Sequence, residues 1–100
     1  MTKKFRVQIS VKAKQDLIGI WHSIAEQSAL RADRFLQKLD SRIDSLVEFP
    51  DRGTDRTEVA KNARVLVEGK YLIFYRKTSK DVEVLRVVYG GMDLSSLELN

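Results

Sequence analysis

The chain contains no cysteine, one proline and one histidine among its 100 residues. The lack of cysteine excludes disulfides, thiolate metal sites and a cysteine nucleophile, and it fits a reducing compartment. With His22 alone, an imidazole-based metal site would have to be completed by carboxylates. No stretch approaches the roughly 20 apolar residues of a membrane span. The opening Met-Thr-Lys-Lys-Phe-Arg-Val is basic but has no apolar stretch behind it, so it is not expected to be a secretory signal. The P-loop, GxGxxG and GxSxG signatures are missing, and Gly90-Gly91 by itself reads as a strand terminator. The acidic residues are scattered, with no pair placed for general acid/base work.

What remains is an ordinary globular composition, 43% hydrophobic and 32% charged, sized for one domain spanning residues 1–100. Eighteen Lys and Arg against fourteen Asp and Glu leave a net charge of +4. That excess points to an anionic partner, either nucleic acid or an acidic protein segment.

Phe5, Val7 and Ile9 alternate with Arg6 and Gln8, the period of a strand with one buried face. Ser10 can cap a helix running to about Gln27, in which Leu17, Ile20, Trp21, Ile24 and Ala25 form one apolar stripe. Ser28 can cap a second helix, whose stripe of Ala32, Phe35, Leu36, Leu39, Ile43, Leu46 and Val47 ends before Pro50. The two or three residues between them predict an antiparallel helix hairpin. Residues 51–62 lack an apolar period and read as a polar loop. Strands are predicted over Arg64–Glu68, Tyr71–Lys77 and Val82–Tyr89, joined at Gly69-Lys70 and at Thr78–Asp81. The last strand carries Val82, Val84 and Val88 on one face and Leu85, Val87 and Tyr89 on the other, as in a strand inside a sheet. Residues 93–99 are expected to form a short terminal turn or helix, or to fray. The fold class is therefore α+β, in the order β-α-α-β-β-β. A helix hairpin packs on one face of a mostly antiparallel sheet, and the first strand extends the meander at one edge.

The candidate anion- or partner-binding residues are Arg64, Arg76, Arg86 and Tyr89, all on the predicted strands. Arg86, between Leu85 and Val87, is expected to be central in the sheet, where a charge needs a partner or an open groove. An anion-holding patch is one reading. Ion pairing to Glu68, Glu83 or Asp93 is the commoner fate of such residues. Trp21, Phe35 and Phe49 are expected in the core, as are Tyr71 and Tyr75, which share a face with Ile73. His22 reads as a surface or packing residue. Arg31, Arg34, Lys38 and Arg42, interleaved with Asp33, Asp40 and Asp44, read as a solvated helix face.

The residues also carry a resemblance. Ser10 with Ala13, Asp16-Leu17, Ile20-Trp21 and Ile24-Ala25 open it, followed by Ala32, Arg34-Phe35, Phe49-Pro50 and Gly53. Tyr71-Leu72-Ile73-Phe74-Tyr75-Arg76, Val84-Leu85-Arg86-Val87, Gly90 and Asp93 complete it. In this order the chain, from about Val7 to Asp93, resembles the ParE branch of the RelE/ParE toxin superfamily. The resemblance implies a small cytoplasmic toxin without cofactors, silenced by a cognate ParD-like antitoxin. ParE-like toxins are associated with poisoning DNA gyrase. RelE-like relatives cut messenger RNA on the ribosome with basic residues and a terminal Tyr or His. Many ParE-like members carry His at the position of Tyr89, and often Arg at that of Met92. Three functions follow as expectations: a gyrase inhibitor that breaks no bond, an mRNA interferase using Arg64, Arg86 and Tyr89, and a non-toxic antitoxin-binding module. A phenol with a pKa near 10 would need strong help to act as a base at neutral pH. Gyrase binding therefore ranks first, and nucleic acid is reached only through antitoxin or gyrase. An antitoxin would use an amphipathic, partly acidic segment against the helix hairpin and an open sheet edge.

Overall fold

A computed structural model describes residues 5–91. The elements are β1 (Arg6–Ile9), α1 (Val11–Ala25), α2 (Ala29–Asp44) with a 3₁₀ turn (Ser45–Val47), β2 (Thr54–Asp55), β3 (Ala63–Glu68), β4 (Tyr71–Lys77) and β5 (Asp81–Tyr89). The sheet order is β1-β5-β4-β3-β2, antiparallel throughout except for the parallel β1–β5 pair. The predicted class and the edge position of β1 hold. Two residues of the expected polar loop add the short strand β2. Asp93 and the predicted terminal turn lie outside the described residues.

Both helices begin as their caps dictate. Ser10 Oγ accepts the Ala13 N–H at 2.9 Å, and Ser28 Oγ accepts the Arg31 N–H at 3.2 Å. α1 stops at Ala25, two residues short of expectation, and Glu26–Ser28 turn the chain into α2. The hairpin buries Ala13, Ile20, Leu39, Ile43 and Leu46 against Leu66, Ile73, Tyr75, Val82, Val84 and Val87, with Leu17, Ile24, Phe35 and Tyr71 packed around them. Phe49 departs from prediction. It lies beyond the 3₁₀ turn and is 59% exposed, because the helical period that would have turned it inward ends at Asp44. Trp21 sits at the hairpin's side, where its indole N–H donates to Asp33 Oδ1 at 2.8 Å across the two helices.

The opposite sheet face holds a second cluster of Ala63, Val65, Phe74, Leu85 and Val88, with Val59, Ala60 and Leu72 beside it. Its composition corrects the predicted facing of β5. Phe74 pairs with Arg86 but Tyr75 pairs with Val84, so Leu85 is an extra residue, a β-bulge. The insertion reverses the alternation, sending Val87 to the helix side and Val88 to the far side. The β3–β4 turn follows its sequence signal: Gly69 has φ +59°, as the first central position of a type II′ turn demands.

Charge on α2 separates in space although it is interleaved in sequence. At about 100° per residue, Arg31, Arg34, Lys38 and Arg42 fall within about 80° of one another. Asp33, Asp40 and Asp44 gather about 145° away on the flank where Asp33 meets α1. Burial and then the neighbouring Asp44 hold the Asp40 carboxyl above its ordinary pKa of 3.8. A raised folded-state pKa means that ionisation opposes folding. The contribution of Asp40 to stability is therefore fully present below pH 3.8 and is lost as pH rises through its folded-state value. Asp40→Asn should stabilise the protein at pH 7 by about 0.3 kcal/mol, the size of one like-charge i,i+4 pair. Urea melts at pH 7 and pH 3 check this, since the gain should vanish at the lower pH.

Candidate functional site

The four candidate residues occupy three separate places. Arg64 leaves β3 toward the loop after the 3₁₀ turn. There its Nη1 donates to the Gly53 carbonyl at 2.8 Å and the Asp51 carbonyl at 3.2 Å, and its Nε lies 3.9 Å from Asp51 Oδ1. Lys77 Nζ reaches the same carboxylate at 3.1 Å. These groups, with Asp55, Thr57 and Asn62, line a polar pocket of about 350 Å³. Within it the Thr57 hydroxyl, then its backbone N–H, holds the Asp55 carboxyl below its ordinary pKa. Asn62 stands at the pocket rim with φ 61°, a left-handed conformation that Asn tolerates better than most residues.

That end of the sheet is fastened by Tyr75, which belongs to the fully buried core. Its hydroxyl donates to the Pro50 carbonyl and accepts the Gly53 N–H, both at 2.8 Å. Burial raises the Tyr75 pKa above 10.0, the Gly53 hydrogen bond opposing it. Arg64 is therefore held by the same loop that Tyr75 closes.

Arg76 pairs across the strands with Glu83, its direct partner in the register, at 3.4 Å. This is one of the acids predicted from sequence. Arg86 corrects the prediction twice. Among the described residues its carboxylate partner is Asp16 on α1, not Glu68 or Glu83; Asp93 lies outside the described residues. Nε donates to Oδ2 at 2.7 Å and Nη2 to Oδ1 at 2.9 Å, a bidentate clamp. Nor is Arg86 central: β1 pairs with β5 only as far as Val84, so beyond that residue β5 is an edge. α1 seals that edge with side chains, Ser10 Oγ donating to the Leu85 carbonyl at 2.8 Å and Asp16 Oδ2 accepting the Val87 N–H at 3.0 Å. The bulge frees these groups from the strand ladder, and a sequence pattern does not announce it.

Tyr89 ends β5 half-exposed and stacks edge-on against Tyr71 at 6.0 Å, which in turn meets Phe35 at 5.4 Å. Tyr71 and Tyr89 wall an open groove of about 330 Å³ with Gln15, Gly19, Ser23 and Arg86. Gly19 faces open space: a Cβ there would meet nothing within 4 Å. Mid-helix glycine costs roughly 1 kcal/mol against alanine, and no packing contact requires it. From sequence, Gly19 reads only as a slight weakening of the helix that leaves its apolar stripe intact. Val11 and Ile18, two turns apart on α1, are exposed at 71% and 60%. In the register Arg64 lies opposite Tyr75 and Tyr89 opposite Tyr71, four residues apart along β4 or about 13 Å. Arg64, Arg86 and Tyr89 thus do not converge on one point.

Residues 7–94 match a family model described as the ParE toxin of the type II toxin–antitoxin system parDE. The chain is 30% identical over 87 residues to Toxin RelE1 of Caulobacter vibrioides, covering 86% of this chain and 94% of that protein. It is 27% identical over 82 residues to Toxin ParE3 of the same organism, covering 81% and 82%. A solved chain described as the chromosomal ParDE TA system from P. aeruginosa superposes with a TM-score of 0.72 at 19% identity, covering 85% of this chain and 95% of that one, a likeness of fold.

Proposed function

The chain belongs to the ParE toxin family of type II toxin–antitoxin systems, and from that premise we propose that it halts growth by binding DNA gyrase and is silenced by a ParD-like antitoxin. The observation that carries a binding rather than a bond-breaking role is the dispersal of Arg64, Arg86 and Tyr89. Arg64 is tied to loop carbonyls at one end of β4, Arg86 is clamped to Asp16, and Tyr89 stands at the other end. General acid/base chemistry needs its groups within hydrogen-bond reach of one reacting centre.

The groove between α1 and the end of β5 is the surface proposed for a macromolecular partner. Tyr71 and Tyr89 offer aromatic area at its wall, and Gly19 lets a partner approach the α1 backbone closely. The exposed Val11 and Ile18 lie on the adjoining helix face and extend the apolar contact. An amphipathic antitoxin helix with acidic flanks suits this apolar groove on a basic protein, the apolar groups supplying affinity and the charge speeding encounter.

The experiment is a supercoiling assay with gyrase, ATP and relaxed plasmid. The protein should stop supercoiling or trap cleaved plasmid, and a ParD-like antitoxin at equal concentration should restore activity. Normal supercoiling at a large excess of the protein would reject the gyrase reading.

The similarity to Toxin RelE1 favours one alternative, ribosome-dependent mRNA cleavage. In that case Tyr89→Phe, which removes the hydroxyl and keeps the ring stack on Tyr71, should abolish transcript cleavage in arrested cells. Under the gyrase reading the same variant keeps its toxicity within about threefold and the transcripts stay whole.

A further inference from the structure

The basic stripe of α2 is not used by any contact described so far. Arg31, Arg34 and Lys38 are exposed, and among the described residues their charged groups have no ion-pair or hydrogen-bond partner. The sheet arginines differ, since Arg64, Arg76 and Arg86 each hold a carboxylate. Arg42 closes the stripe toward the β3–β4 hairpin, donating to the Val67 carbonyl at 3.2 Å and pairing with Glu68 at 3.5 Å. That pairing neutralises the one acidic residue of the shallow groove alongside, whose other lining residues are Arg34, Gln37, Lys38 and Ser41.

We infer that this face of α2 binds the phosphate backbone of duplex nucleic acid. Three features favour phosphate over an acidic protein. First, the cations recur every three or four residues over about 16 Å of helix, so successive turns present charge in one row. Second, the residues between them, Gln37 and Ser41, are hydrogen-bond donors of the kind that contact phosphate oxygens. Third, the groove contains no aromatic or large aliphatic side chain, whereas protein partners bind through such anchors. The exposed apolar residues of α1 and the Tyr89 groove lie on other surfaces. The acids of α2 sit about 145° around the helix and do not quench the row. Such contacts read no sequence and add salt-dependent affinity, whatever complex brings the nucleic acid close. This inference stands apart from the gyrase reading, because its test contains no gyrase.

The test is fluorescence anisotropy with the purified full chain and labelled 20-base-pair duplexes, two unrelated DNA sequences and one RNA, between 50 and 200 mM salt. Three phosphate contacts predict a slope of log affinity against log salt near −2.7, a loss of about 40-fold over that range, equal for both DNA sequences. A variant with Arg31→Gln, Arg34→Gln and Lys38→Gln should bind at least tenfold more weakly, with a slope near zero. A control with Arg56→Gln, Lys61→Gln and Lys80→Gln removes three exposed cations elsewhere and should bind within about twofold of the parent chain. Circular dichroism checks that both variants fold. Tighter DNA than RNA binding, or the reverse, identifies which duplex supplies the phosphates. Equal losses in the two variants would reduce the effect to net charge and overturn the inference, as would no binding at 50 mM salt. Poly-glutamate that displaces DNA stoichiometrically and binds more tightly through the same three residues would assign the stripe to an acidic protein and overturn it too.

Discussion

Gly53→Ala is expected to remove about 4 kcal/mol of folding stability, a large fraction of the roughly 5–15 kcal/mol that holds a domain of this size. A Cβ at this buried position would lie 2.6 Å from the Tyr75 hydroxyl and 2.9 Å from the Val65 carbonyl. The tyrosine cannot retreat without breaking its bonds to Pro50 and Gly53, and the carbonyl belongs to β3. Overpacking of about 1–3 kcal/mol combines with loss of a buried hydrogen bond worth a further 1–2, so the cost is about 4 kcal/mol. For a domain of this size that lowers Tm by about 20 °C. Tyr75→Phe tests the hydrogen bonds without the clash and should cost about 2 kcal/mol by leaving the Gly53 N–H and Pro50 carbonyl unpaired. Because burial raises the Tyr75 pKa, its stabilising effect is complete below pH 10 and is lost as pH rises through the folded-state value. Tyr75→Phe should therefore unfold less steeply in alkali than the parent. A Gly53→Ala protein melting within 5 °C of the parent would show that the loop yields freely.

Asp16→Ala carries the second large effect, about 3 kcal/mol. The substitution removes the acceptor of two Arg86 bonds and of the Val87 N–H. The pair is largely shielded, with side-chain exposures of 20% and 16%, so solvent replaces these bonds poorly. Arg86→Ala should cost less, because the released carboxylate keeps its bond from Val87. The double variant should fall short of the summed single losses by about 1–2 kcal/mol, the coupling expected of a bidentate contact. Urea denaturation of the four proteins measures it, and strict additivity would mean that the clamp contributes nothing of its own. The loss should also appear as faster amide exchange at Val87, which neither cavity nor helix-propensity effects would produce.

Local signals made most of the architecture legible. Ser10 and Ser28 announce helix starts because a hydroxyl before an apolar stripe can satisfy an orphan N–H. Gly69 announces a turn because only glycine enters positive φ without strain. β4 was readable to the residue, its run of Tyr, Leu, Ile and Phe bounded by turn signals at both ends. The facing of β5 was not, since the bulge at Leu85 arises from strand pairing and not from anything local in Val84-Leu85-Arg86. The same limit hid Asp16 as the partner of Arg86. Seventy positions separate them, and a reading without tertiary information offers only the acids near the strands, Glu68, Glu83 and Asp93. Phe49 was misplaced because the helical period was extended across a 3₁₀ turn. At the candidate site the residue types were legible while their dispersal was not: distance along β4 depends on register, which only the paired sheet defines.

The parallel pairing of β1 with β5 has a consequence for biosynthesis. The first strand and the start of the first helix find their partners in the last strand, with Ser10 and Leu85 joined across 75 positions. A ribosome that has not yet delivered Asp81–Tyr89 holds a nascent polypeptide in which α1 can already meet α2, while β1 and the first turn of α1 still lack their strand partner. The five-stranded sheet therefore closes only once β5 has left the ribosome, and a chain interrupted before Asp81 has no strand on which β1 can dock.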